Sequence, residues 1–220
     1  MVQSFNWEGI KYTALGMFRP SLLLPQMKVK NVSCIEFEKL YEKGIRGVIF
    51  DKDNCLTAPY LKSIHPSIEP GWLRCKKHFT ADRIAILSNS AGTPDDKNNS
   101  HATEVSESLG VHVIQHEIKK PGGGDEIRAF VAKNWKLELK QVAMVGDRVI
   151  TDVVFGNLNG MYTIWTNEII SEKDDNPVAA KIRTLEYAII AGLEKLRVQP
   201  PPLPTKTSHG VRPEQLRIFL

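Results

Sequence analysis

Four short polar clusters interrupt otherwise apolar stretches of the chain. They are Asp51-Lys52-Asp53-Asn54-Cys55-Leu56-Thr57, Ser88-Asn89-Ser90, Lys119-Lys120 and Gly146-Asp147-Arg148, with Asp152 a little beyond. Together they offer carboxylates, a hydroxyl and an ammonium, which is the set that phosphoryl transfer needs: groups to neutralise a dianion, supply an in-line nucleophile and protonate a leaving oxygen. Asp51 is expected to attack phosphorus, because an acyl phosphate is labile and divides one difficult hydrolysis into two easier displacements. Asp53 lies two residues on and in locally extended chain faces the same side, so it is placed to protonate a leaving alkoxide and then deprotonate water. Two carboxylates this close to a phosphate repel it unless a hard cation intervenes, and Mg2+ suits such oxygen donors. Asp147 is expected to be its second ligand with Asp51, while Asp152 completes or orients the shell. Ser88 is placed to hydrogen-bond a phosphoryl oxygen and Lys120 to offset its charge. Spacing alone does not choose between Lys119 and Lys120.

The elements that must position these groups are legible from hydrophobic patterning. Residues 45–50 (IRGVIF) form an apolar run ending on Asp51, as a central parallel strand covered on both faces would. Similar runs occupy 83–87, 111–114, 141–145 and 161–165. Helix-compatible segments at about 67–79, 96–109, 123–134 and 148–158 separate them. Such alternation predicts an α/β fold, a Rossmann-like parallel sheet with helices on both faces. Ligands of such sheets bind at the carboxyl ends of the strands, where all four polar clusters fall. A short helix is expected over 35–42, and a C-terminal one over 177–197 that starts on a proline and packs on the sheet.

Composition excludes several classes. With 42% hydrophobic and 25% charged residues in 220, the chain reads as one ordinary folded domain. Its 29 Lys and Arg against 25 Asp and Glu give a formal charge of +4, too mild to suggest a nucleic-acid partner. Cys34, Cys55 and Cys75 lack paired spacing, which predicts free thiols and a reducing compartment. No apolar run is long enough to span a bilayer, and no secretory signal is visible. The first 30 residues mix Phe5, Trp7, Tyr12, Phe18 and Leu22-Leu23-Leu24 with Lys11, Arg19, Lys28 and Lys30. They suit a peripheral anchor on an anionic membrane, and a homo-oligomer interface would account for the same residues.

Simpler readings stand beside the chemical ones. Asp51 and Asp53 alone would often be turn residues, and Ser88-Asn89 could cap the next helix without excluding phosphate binding. Asn89 is counted with Ser88 as a phosphate contact. Arg148 would either touch substrate or pair with nearby acids. His65, His101, His112 and His116 show no metal-ligand spacing. A phospho-acceptor receiver module also joins aspartates, magnesium and lysine, but places its paired acids on an early strand and its acceptor on a later one. A silent scaffold is disfavoured because no motif acid is missing.

The ordered segments DKDNC, LSNS, KKPGGG and GDRVITD resemble the haloacid dehalogenase (HAD) phosphatase superfamily over about residues 45–166. That resemblance implies that Asp51 is phosphorylated, Asp53 is acid and base, Ser88 and Lys120 grip the phosphoryl group, and Asp147 binds magnesium. It also implies a metal contact through the Asp53 carbonyl, and it favours Lys120 because that lysine directly precedes proline. One departure is Cys55, where Thr or Val is usual. The longer stretches GVIFDKDNCLTAPY, KKPGGGDEI and VGDRVITDVVFGNLNGMYTIW are similar to the mitochondrial phosphatidylglycerophosphate phosphatases of fungi and their plant and bacterial relatives. This implies removal of the terminal phosphate to give phosphatidylglycerol for cardiolipin synthesis, at the matrix side of the mitochondrial inner membrane. A HAD phosphatase for a soluble monoester or a phosphoprotein is the alternative.

The intervals between the first three motifs are only about 30 residues each, too short for the cap domain that closes many such enzymes over small metabolites. An open site is therefore expected, with residues 1–34 as a membrane-contact or oligomer-contact segment, 35–197 as the phosphatase domain and 198–220 as a Pro-rich extended tail.

Overall fold

A computed structural model describes residues 19–171 and 177–204. At its centre is β2 (Gly47–Phe50), whose four residues are all buried. It lies between β5 (Val142–Gly146) and β3 (Ile84–Ile86), with β6 (Tyr162–Thr166) and β1 (Met27–Val29) beyond β5, and β4 (His112–Val113) beyond β3. All five pairings are parallel. The chain runs outward from β2 through β3 to β4, then returns to β5 on the other side of β2. This makes the β2/β5 boundary a topological switch point, where ligands of open α/β sheets bind. Phe50 pairs in register with both Val145 and Ile86, so Asp51, Ser88 and Asp147 leave the sheet at nearly the same level.

Alternation along the strands divides the core. Val48 and Phe50 face a cluster with Phe37 and Leu40 of α1 (Phe37–Glu42), Trp72 and Cys75 of α2 (Glu69–His78), and Val105 and Leu109 of α3 (Ser100–Leu109). Ile49 points the other way, onto Ile127 of α4 (Gly124–Phe130), Val131 and Trp135 of the π-turn that follows, and Phe155 of α5 (Val154–Leu158). A third cluster joins Leu23, Leu24, Val149, Val153, Trp165 and Ile190, the last from α6 (Pro177–Lys195). The interval from β2 to β3 holds a loop, α2 and a 3-10 turn, and that from β3 to β4 holds a loop, a 3-10 turn and α3. The α/β architecture without a large cap is thus as the patterning predicts.

The described parts of both terminal segments pack on the domain. Residues 19–34 had the composition of a contact segment, yet β1 is an edge strand of the sheet and Leu22, Leu23 and Leu24 are buried. The physical reason is a polar clamp. The Asn157 amide nitrogen donates to the carbonyls of Leu22 (2.8 Å) and Leu24 (2.9 Å), and Gln26 bonds the Thr163 amide of β6 (2.7 Å). Phe5, Trp7, Lys11, Tyr12 and Phe18 lie outside the described residues. Residues 198–204 are extended but docked: the Gln26 amide reaches the Pro201 carbonyl at 3.1 Å and Leu203 packs on the core. The remainder of the tail is outside the described residues.

Removing the clamp by Asn157→Ala strands two buried carbonyls, and the expected loss is about 2 kcal/mol in denaturant unfolding. A loss below about 0.5 kcal/mol would show that residues 19–26 contribute little to the domain.

Candidate active site

Parallel neighbours deliver their following loops to one edge, and here the loops converge. Lys120, buried after β4, donates from Nζ to Asp51 Oδ1 at 2.7 Å and to Asp152 Oδ1 at 2.6 Å. Asp152 sits on the π-turn Val149–Val153, whose geometry folds its carboxylate back against the end of β5. There its Oδ2 accepts from the Arg148 amide at 3.1 Å. Only glycine fits at position 146, because an added Cβ would collide with the Asp152 carboxylate. Asp147 follows at once. Its Oδ2 accepts from Arg183 Nη2 at 2.8 Å, its carbonyl accepts from the Trp165 indole at 2.8 Å, and Oδ1 has no partner among the described residues.

Carboxylate oxygens of Asp51, Asp147 and Asp152 lie within 4.8 Å of one another, all three residues buried. Burial pushes the Asp51 carboxyl up to about 6, opposed by Lys120 and reinforced by the charges of Asp152 and Asp53. Burial also pushes Asp147 up to about 8, reinforced by Asp51 and Asp152 and opposed by Arg183 and Arg148. Burial works against the charge on Lys120, but Asp152 and Asp51 outweigh it and raise its pKa. An all-oxygen cluster with an unpartnered Asp147 Oδ1 fits a hard divalent cation, which draws carboxylates together and favours their ionised forms.

The remaining predicted residues divide. Asp53 stands at the mouth, accepting from Ser90 Oγ at 2.8 Å and the Tyr60 amide at 3.2 Å and paired with Lys52. Its carboxylate is not among the three clustered acids. Ser88 Oγ lies 2.9 Å from Ser90 Oγ, so Ser90 links Ser88 to Asp53. Asn89 differs from the reading as a phosphate contact or helix cap. Its amide oxygen accepts from the Lys120 amide at 2.8 Å and its nitrogen donates to the Lys120 carbonyl at 3.2 Å, so both ends fix the backbone of Lys120. Lys119 pairs instead with Asp95 at 2.5 Å, which separates the two adjacent lysines. The Arg148 side chain is partly exposed beside Asp147. Cys55 is buried and its Sγ faces the Val145 carbonyl at 3.8 Å.

Patterning missed three contributors. Arg183 lies on α6, where a buried cation looks like any solvated helical charge. Lys52 is fully buried, with Nζ on the Leu61 carbonyl at 3.0 Å and on Asp53, where it ties down the loop after β2. Ser90 was visible only as part of a Ser-Asn-Ser triplet.

A family model described as mitochondrial PGP phosphatase matches residues 8–171. The chain belongs to this phosphatase family. Within the mitochondrial PGP phosphatase family it is 40% identical over 190 residues to phosphatidylglycerophosphate phosphatase 1, chloroplastic/mitochondrial, of Arabidopsis thaliana. That alignment covers 86% of the chain but only 53% of the plant protein, so the chain spans about half its length. It is 32% identical over 164 residues to the mitochondrial phosphatidylglycerophosphatase of Saccharomyces cerevisiae, covering 74% of the chain and 88% of the yeast protein. It is 30% identical over 172 residues to the probable phosphatase YqeG of Bacillus subtilis, covering 78% and 92%. The family match takes in every polar cluster of the site; Arg183 falls beyond its end.

The raised acids give a signed pH dependence. A carboxyl whose folded pKa exceeds its unfolded value stabilises most below the unfolded value and loses that contribution as pH climbs through the folded one. With Asp51 at about 6 and Asp147 at about 8, protein kept in chelator is expected to lose stability between about pH 4 and pH 8. Urea unfolding across that range measures it. A flat or rising profile would contradict the burial of these acids.

Proposed function

We propose that the chain is a magnesium-dependent phosphatidylglycerophosphate phosphatase working through an aspartyl-phosphate at Asp51. The observation that carries this reading is the Lys120 ammonium bonded to both Asp51 and Asp152 at the β2/β5 switch point, beside Asp147, whose Oδ1 is unpartnered among the described residues. Asp51, Asp147 and Asp152 would hold the ion, together with the Asp53 carbonyl that the superfamily resemblance adds. Bound there, magnesium would supply charge neutralisation for the clustered acids and the phosphoryl dianion.

The residues themselves account for the rest. Lys120 fixes Asp51 by Oδ1, leaving its second oxygen to form the bond to phosphorus. As that bond forms, the bond to the leaving oxygen breaks, and Asp53 delivers the proton the leaving oxygen needs. Water then attacks phosphorus, Asp53 takes its proton, and Asp51 is released as a carboxylate. Ser88 and Lys120 offer donors to the phosphoryl oxygens, and Ser90 and Lys52 keep Asp53 in place. Arg148, partly exposed at the rim, is available to the substrate.

The product would be phosphatidylglycerol, a precursor of cardiolipin. Three observations favour this lipid over a soluble monoester or a phosphoprotein: the family match, the names of the plant and yeast relatives, and the short intervals that leave the site without a cap. Those names also support a mitochondrial setting. None of the described helices is long and apolar enough to cross a membrane. Peripheral attachment at the matrix face of the inner membrane is what the family resemblance adds to this reading.

Asp51→Asn is expected to lower phosphate release about a thousand-fold or more with the fold retained, whereas undiminished turnover would remove Asp51 as nucleophile. Vesicles containing phosphatidylglycerophosphate, set against a panel of sugar phosphates, nucleotides and phosphopeptides, test the substrate. Magnesium-dependent release from the lipid is expected. Activity confined to the soluble panel would overturn the assignment.

A further inference from the structure

One buried acid beside the site belongs to none of the four polar clusters. Glu186 is 1% exposed and sits on α6, beyond the end of the family match at residue 171. It shares a face of that helix with Arg183 and Ile190, at spacings of three and four residues that bring helical side chains one above another. Arg183 meets Asp147, and Ile190 packs into the third hydrophobic cluster with Val149 and Val153. This face of α6 is therefore the one pressed against the turn that follows β5.

Glu186 Oε1 accepts from the Ile150 amide at 2.7 Å, and the Val149 amide is also turned toward the carboxylate. Val149 and Ile150 open the π-turn Val149–Val153, and the first amides of a helical turn have no partner within it. A side chain at the cap position normally supplies an acceptor, but that position holds Arg148, whose side chain has donors only. Two acids fill the gap. Asp152 folds back to accept from the Arg148 amide at 3.1 Å, and Glu186 reaches from α6 to the amides that follow. The turn held in this way is the one that carries Asp152. Asp152 Oδ1 accepts from Lys120 at 2.6 Å, and Lys120 also bonds Asp51 at 2.7 Å. A polar chain thus runs from Glu186 through the backbone of Val149 and Ile150 to the clustered acids. Burying a carboxylate costs stability. Here it secures a turn that must keep its shape against the mutual repulsion of Asp51, Asp147 and Asp152.

We propose that Glu186 is a positioning residue of the phosphatase site, acting through the Val149 and Ile150 amides to set the Asp152 carboxylate for Lys120 and for the divalent ion. The assignment rests on the reading of Asp51, Asp147 and Asp152 as that ion's ligands. Its working part is an acceptor oxygen at the right reach, and the charge it carries is secondary.

Titrating the folded protein with Mg2+ alone, by calorimetry, reads the effect without turnover. Glu186→Ala is expected to raise the Mg2+ dissociation constant about tenfold or more, as loss of a supporting contact behind a metal ligand does. Two variants separate reach from charge. Glu186→Gln keeps an acceptor oxygen at the same length and should bind within about twofold of the wild type, whereas Glu186→Asp keeps the charge, falls one methylene short and should bind as weakly as Glu186→Ala. Ile190→Val loosens the packing of the same helix without touching the polar contact, and is expected to lower stability in urea while leaving Mg2+ binding at wild-type strength. Strong binding in Glu186→Asp with weak binding in Glu186→Gln would overturn the role, and so would a loss in Ile190→Val equal to that in Glu186→Ala, since helix docking alone would then suffice. Should Glu186→Ala fail to fold, the Gln and Asp variants decide the matter. A wild-type protein that binds no Mg2+ removes the metal reading and this role with it, whereas wild-type binding that the Glu186 variants leave unchanged removes the positioning role alone.

Discussion

Three carboxylates brought within 4.8 Å of one another in a buried site are the constraint on which the rest of the molecule turns. Each ionised pair at such separation repels by roughly 3 kcal/mol at an effective dielectric near 20, and burial adds to the cost of every charge. Lys120 and Arg183 supply two positive charges against three negative ones, so the cluster is one charge short of neutral when all three acids ionise. A divalent ion would reverse that sign and a phosphoryl dianion would restore it. The elevated pKa values of Asp51 and Asp147 express the same imbalance as a tendency to retain protons. A site built this way is costly to the fold alone and well matched to a cation and an anion together.

Much of the architecture can be understood as holding that cluster in place. The return of the chain from β4 to β5 puts Asp51 and Asp147 on adjacent strand ends. The bare backbone at Gly146 admits Asp152, and the Asn89 amide grips the Lys120 backbone from both sides so that the ammonium arrives between two acids. Helix α6 brings Arg183 from beyond the motif region, and the third hydrophobic cluster anchors that helix through Ile190 against Val149, Val153 and Trp165. Residues 19–26 pack into this cluster too, through Leu23 and Leu24. Residues 19–26 and helix α6 therefore brace the side of the domain that presents Asp147 and Asp152.

The central strands, their order of motifs and the α/β class were legible because buried parallel strands leave unbroken apolar runs ending in polar residues. Val48, Ile49 and Phe50 followed by Asp51 are such a case. β1 escaped notice for the opposite reason: Met27–Val29 is a three-residue edge strand with an exposed lysine in its middle, too short to carry a period. The pairing of Lys120 with the acids, and of Lys119 with Asp95, was beyond local reasoning because adjacent residues in extended chain differ only in direction. Arg183 was hidden because helical periodicity marks apolar faces and says nothing of a cation buried to meet a carboxylate from another element. Asn89 shows a further limit, since an amide beside a candidate phosphate ligand looks the same whether it faces substrate or fixes backbone.

Calorimetric titration of the protein with Mg2+ near pH 7, in two buffers of different ionisation enthalpy, tests the central claim most directly. One ion is expected to bind with net proton release, since ligation ionises acids that the protein otherwise keeps partly protonated. Both signals should vanish in Asp147→Asn. Failure of the wild-type protein to bind, or binding in Asp147→Asn that matches the wild type and releases no proton, would contradict the account.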